Sequence, residues 1–99
     1  MLDQVREAIR RGAHRYTVHA QGQMAKRRIL DGEVRETIMG SQGEVIEDYP
    51  TDKYGPSCLI YGVTDQGRIL HVQVNREGVI ITSYEPNPEE WIDLKRRRT

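Results

Sequence analysis

The chain has no phenylalanine, a single cysteine and four prolines, and its longest uninterrupted aliphatic run is only Val79 to Ile81. Each shortage excludes something. One thiol, Cys58, cannot form an intrachain disulfide and suits a reducing cytosol. No stretch approaches the roughly 20 apolar residues of a membrane span. The N-terminus carries no apolar signal core, so the expectation is a cytoplasmic protein with no membrane partner. Without Phe, the large rings are five Tyr and one Trp, each with a polar atom to satisfy. Such rings belong at the edge of the core or in a site. Net charge is absent too, since 15 basic residues balance 15 acidic ones, and total charge gives no argument for nucleic acid.

Motifs are also missing. There is no Walker loop and no dinucleotide fingerprint, so no cofactor is expected. His14, His19, Cys58 and His71 are soft enough for zinc, but they form no paired metal-ligand spacing and lie on separate elements, so no metal is expected. Cys58 sits in the run Cys58-Leu59-Ile60, which reads as buried strand, where a thiol is inert.

What is present is amphipathic pattern and uneven charge. At 99 residues the chain is one domain, expected over residues 1 to 94 with a solvated basic tail over 95 to 99. Residues 1 to 30 hold seven Lys/Arg against two acids, residues 31 to 67 two against eight, and residues 68 to 99 six against five. Either the first third presents a basic face or the fold brings the halves together. Leu2, Val5, Ala8 and Ile9 recur at helical spacing up to Gly12, with Arg6, Glu7, Arg10 and Arg11 opposite. Arg15 to Val18 has the content of a short strand, and Thr17 can cap a helix over Val18 to Arg28 with Ala20 and Met24 inward. Asp31 can cap a second helix through Met39, with Val34 and Ile38 inward.

Four strands then follow at short turns: Glu44 to Tyr49, Ser57 to Val63, Arg68 to Asn75 and Val79 to Glu85. The expected fold is α+β, with N-terminal helices packed on one face of a four-stranded antiparallel meander. Alternation turns Leu70, Val72 and Val74 toward the helices and His71 to the second face. Glu89 to Leu94 reads as a single helical turn laying Trp91 and Leu94 over an apolar surface.

His19, Gln23 and Arg27 lie four residues apart and form a polar row on one helix face. Metal-free RNA cleavage needs a base, an acid and a cation on the phosphate, and His19, Arg27, His71 and Tyr84 are the residue types that supply them. Gln23 and Arg28 are the expected substrate contacts. A second possibility is a non-catalytic module that binds protein or RNA through Tyr61, His71 and Tyr84. A third is that the row merely solvates its helix.

The fragments Thr17-x-His19-Ala20, Gln23-Met24, Arg27-x-Ile29, Gly43-Glu44-Val45-Ile46-Glu47-Asp48-Tyr49-Pro50, Gly55-Pro56-Ser57, Leu70-His71-Val72 and Tyr84-Glu85-Pro86 come in a fixed order. From about Tyr16 to Pro86 the chain resembles the domain-of-unknown-function family four-two-five-eight, a group of small prokaryotic proteins. That family is distantly similar to metal-independent RNase toxins of the RelE, barnase and colicin type, which pack helices on an antiparallel sheet. The resemblance implies an mRNA endonuclease, free or ribosome-dependent, neutralised by an antitoxin. His19, Arg27, His71 and Tyr84 fall on the family's characteristic positions. Zero net charge sets the chain apart from strongly basic toxins.

Overall fold

Apolar residues at helical spacing set three helices, and the computed structural model, which describes residues 1–99, puts all three on one side of a sheet. In α1 (Leu2–Arg10) the buried side chains are Val5, Ala8 and Ile9. Arg6, on the expected polar face, is not simply solvated. Its guanidinium donates to the carbonyls of Ile38 at 2.8 Å and Gly40 at 3.1 Å, serving backbone acceptors at the end of a later helix. In α2 (Val18–Arg27) Ala20 and Met24 point inward as the spacing predicts. Thr17 caps this helix: its hydroxyl accepts from the Ala20 amide at 3.0 Å.

α3 (Asp31–Met39) buries Val34, Thr37 and Ile38. Its N-cap is Leu30 rather than the expected Asp31, and Glu33 Oε1 accepts the Leu30 amide at 3.0 Å. Asp31 is used elsewhere. Its carboxylate takes the His14 Nε2 at 2.9 Å and the Tyr16 hydroxyl, tying the first connection to the start of α3. Burial alone would raise the Asp31 pKa, but those two hydrogen bonds outweigh it and hold the carboxyl below the usual range.

The sheet differs from the expected four-stranded antiparallel meander. It is a five-stranded mixed sheet in the order β1-β5-β4-β3-β2, formed by β1 (Arg15–Tyr16), β2 (Glu44–Tyr49), β3 (Ser57–Val63), β4 (Ile69–Asn75) and β5 (Val79–Tyr84). β2 to β5 run antiparallel through short turns, while β1 lies parallel to β5. The parallel pairing arises because Arg15 N donates to Gly78 O and Thr17 N to Ile80 O, both at 3.0 Å, before the chain turns into α2. The core fills the space between layers, with Val5, Ile9, Ala20, Met24, Val34 and Ile38 from the helices meeting Cys58, Ile60, Leu70, Val72, Val74 and Ile80 from the strands. Leu70, Val72 and Val74 thus face the helices as expected. No helix is long and apolar enough to cross a membrane.

The other face carries a second departure. The expected helical turn over Glu89 to Leu94 is instead a hairpin of β6 (Trp91–Ile92) and β7 (Arg96–Arg97), so the basic run folds back onto the domain. Its turn, closed by Lys95 N donating to Ile92 O at 3.0 Å, holds Asp93 at φ 54° and Leu94 at φ 62°. Left-handed backbone costs an L-residue about 1–2 kcal/mol. Burying an indole removes about 150–250 Å² from water, worth roughly 4–6 kcal/mol, and Trp91 is only 3% exposed, so the burial outweighs the strain. Salt bridges fasten the hairpin at the rim, Lys95 to Glu44 at 3.1 Å and Arg97 to Glu47 at 3.0 Å.

Substitutions at two positions test this architecture by denaturant midpoint. Gly62 in β3 lies so close to α3 that an added Cβ would meet the Thr37 carbonyl oxygen at 2.1 Å; Gly62→Ala is expected to cost about 3 kcal/mol or unfold the chain. Thr17→Ala is expected to cost about 1 kcal/mol, with Thr17→Ser restoring most of it.

Candidate functional site

Alternation along β4 and β5 puts His71 opposite Tyr84 on the face away from the helices, with Tyr61 of β3 opposite His71. His71 is fully buried in a ring of aromatics, with its ring centre 4.6 Å from that of Trp91, 5.3 Å from that of Tyr84 and 6.2 Å from that of Tyr61. A carbonyl only accepts, so the 2.6 Å contact between His71 Nε2 and Leu94 O fixes the proton on Nε2. Nδ1 is then an acceptor, and the Tyr84 hydroxyl lies 3.3 Å from it. Burial holds the His71 pKa below its ordinary 6.5, against the opposing pull of the Leu94 carbonyl, so the ring is neutral at neutral pH. Burial also pushes the Tyr84 pKa up, which keeps its hydroxyl protonated.

Arg27 joins this pair from the helix layer. β1 accompanies β5 only along Val79 and Ile80, and beyond it the last turn of α2 approaches the strand. Arg27 Nη1 donates to the Ser83 carbonyl at 3.0 Å, and the guanidinium carbon lies 5.9 Å from the centre of the Tyr84 ring. His71, Tyr84 and Arg27 therefore form one connected set. His19 does not join it. It lies eight positions before Arg27 on the helix, about 12 Å along the axis, and its side chain is exposed with no hydrogen bond. Gln23 is half-buried between them. Arg28, at φ 55°, ends α2 with its side chain exposed.

Arg27 and Tyr84 open onto a cleft of about 310 Å³ that Glu85, Asn87, Glu90, Trp91 and Arg97 also line, and neither Gln23 nor Arg28 is part of it. Arg97 lies over the Trp91 ring at 4.6 Å and is held by Glu47, which also accepts the Tyr49 hydroxyl. Burial first, and then that hydrogen bond, push the Tyr49 pKa to about 12. Arg27 and Glu90 have no salt-bridge partner, whereas Glu85 is bound by Arg68 at 2.9 Å. The cleft thus combines two guanidiniums, a protonated phenol backed by a neutral imidazole, and an unpaired carboxylate. Cys58 stays outside it, buried in the core, where burial raises its thiol to about 11.

Glu90, Trp91 and Arg97 escape sequence reasoning because their segment reads as a helical turn and a loose tail. The available signal is a lone Trp six residues ahead of Arg97, a large apolar ring that must be buried near a cation able to stack on it.

The buried imidazole makes stability depend on pH. With its folded pKa below 6.5, His71 binds more proton in the unfolded chain, so its contribution is complete above about 6.5 and is lost as pH falls through the window beneath. The denaturant midpoint of the native chain is expected to fall progressively below about pH 6.5. His71→Phe, which cannot be protonated, is expected to flatten that slope.

No curated protein and no solved structure matches the chain. A family profile does match it, over residues 16–87, from the end of β1 through the strand that carries Tyr84 to the edge of the cleft. The match covers well over half of the chain, which belongs to the family Domain of unknown function (DUF4258).

Proposed function

We propose that the cleft binds single-stranded RNA and cleaves it without a metal ion. The observation that carries this reading is the convergence of Arg27, Arg97 and the His71-backed Tyr84 hydroxyl on one cleft beside the unpaired Glu90. Arg27 and Arg97 hold the phosphate and stabilise the charge that grows on it. The Glu90 carboxylate takes the ribose 2′-hydroxyl proton as that oxygen attacks phosphorus, and the Tyr84 O–H, which rests against His71 Nδ1, turns toward the substrate and gives its proton to the departing 5′-oxygen. The products are a 2′,3′-cyclic phosphate and a 5′-hydroxyl end. His71 does not touch substrate, since it is fully buried; it orients the Tyr84 hydroxyl. His19 has no role in this arrangement, and neither do Gln23 and Arg28.

The ordered motifs shared with a family similar to RelE, barnase and colicin toxins support the same reading. On that footing the protein is a small prokaryotic toxin acting on free or ribosome-bound mRNA, with an antitoxin as its partner. Zero net charge suits a weak, local grip on phosphate rather than tight general binding to RNA.

One observation favours a second reading, a non-catalytic RNA- or protein-binding module. The contact of His71 with Leu94 and Tyr84 seats the terminal hairpin, a job that needs no chemistry.

Incubation of the protein with a mixed RNA pool in EDTA decides between them. Cleavage to cyclic-phosphate ends is expected, with Tyr84→Phe slower by about 10²-fold or more and Arg27→Ala slower by a similar factor. His19→Ala is expected to stay within about twofold of wild type. RNA binding without any cleavage would leave the binding module as the better account.

A further inference from the structure

Arg68, in the turn that leads into β4, makes more side-chain contacts across the fold than any role as a turn residue requires. Its Nη1 donates to the Arg28 carbonyl at 3.0 Å and to Glu33 Oε1 at 3.0 Å, and its Nη2 to the Arg27 carbonyl at 2.9 Å and to Glu85 Oε1 at 2.9 Å. The two carbonyls belong to the end of α2, where acceptors lack helical partners and the dipole favours a cation. Glu33 is in the first turn of α3, and Glu85 is on the rim of the cleft. A single planar fork therefore fixes the helix end from which Arg27 projects and engages the carboxylate that follows Tyr84 in the chain.

The consequence falls on Arg27. Glu85 released from Arg68 would add a second unpaired carboxylate to the cleft beside Glu90, and so compete with an anion for the guanidiniums there or repel it. Glu85 is held by Arg68 instead, and Arg27 keeps only the neutral Ser83 carbonyl. We infer that Arg68 is a positioning residue of the cleft: by anchoring the end of α2 and holding Glu85, it keeps the Arg27 guanidinium open to an anion. The inference rests on the reading of Arg27 as the phosphate-holding cation. Lysine cannot replace Arg68, because a point ammonium cannot serve two carbonyls and two carboxylates in one plane.

The test uses the full chain at low ionic strength, with inorganic phosphate as the probe and the Arg27 side-chain N–H resonance as the readout. Wild type is expected to show a saturable shift at Arg27. R68Q is expected to weaken phosphate binding by about fivefold or more, and R68Q/E85Q to recover most of that loss, because the competing carboxylate is gone. A merely structural role for Arg68 would leave the double variant as weak as R68Q. Should R68Q fail to fold, R68K carries the test, and phosphate binding equal to wild type in R68K would overturn the inference. So would the absence of any phosphate shift at Arg27 in wild type, or a failure of E85Q to rescue R68Q. The cleavage reading fails separately: if phosphate binds and the variants behave as expected while no RNA is cut, the positioning role stands and the nuclease does not.

Discussion

The second face of the sheet depends on one hydrogen bond, from the buried His71 Nε2 to the carbonyl of Leu94. An imidazole with no exposed surface is costly unless both nitrogens are satisfied. The carbonyl that satisfies Nε2 belongs to a residue in left-handed backbone, and the hydroxyl that satisfies Nδ1 belongs to Tyr84. Hairpin, sheet and cleft are therefore joined through one ring. The Leu94 contact fixes the tautomer, the tautomer fixes what Tyr84 can donate to, and the same hairpin brings Trp91, Arg97 and Glu90 to the cleft.

Charge is organised by the same folding back. The acidic middle third does not neutralise the basic first third as a block. Glu44 and Glu47 pair with Lys95 and Arg97 from the terminal hairpin, and Glu33 with Arg68 from the turn before β4. In the first third, Arg6 is taken up by backbone carbonyls and Arg10 and Arg11 by Glu7. Lys26, Arg27 and Arg28, clustered at the end of α2, form no ion pair. A chain of zero net charge can therefore present a locally positive end beside a cleft, where partial enclosure and modest screening make a few guanidiniums effective.

Periodicity and capping were enough to place the three helices, the four meander strands and the inward set of Leu70, Val72 and Val74, because each is long and amphipathic. They also marked a strand at Arg15, but not the parallel place of β1 in the sheet, since it is two residues long and pairs with a strand far along the chain. The terminal hairpin was also hidden, since Asp93-Leu94 lacks the glycine that marks most turns with two positive φ angles, and only tertiary burial of Trp91 makes that turn worthwhile. Of the candidate site, the place of His71 on the second face was legible from strand alternation, whereas Tyr84, singled out by residue type, is set opposite it by the β4–β5 register. Arg27 was legible from its helix row, but the row itself misled, because helical spacing aligns His19 with Arg27 without bringing both to the same strand.

The parallel pairing of β1 with β5 also bears on the order in which the molecule assembles. Thr17 and Ile81, joined at this junction, are 64 residues apart, and closing so long a loop costs about 4 kcal/mol of chain entropy before the contact returns anything. The antiparallel strands are linked by shorter connections and cost less entropy to close, so topology favours an order in which the N-terminal segment joins an already formed sheet. α1 arrives with it, bringing Val5 and Ile9 to seal the helix layer. In that order the amides of Arg15 and Thr17, which donate to Gly78 and Ile80, would be the last of the sheet to gain protection from solvent exchange.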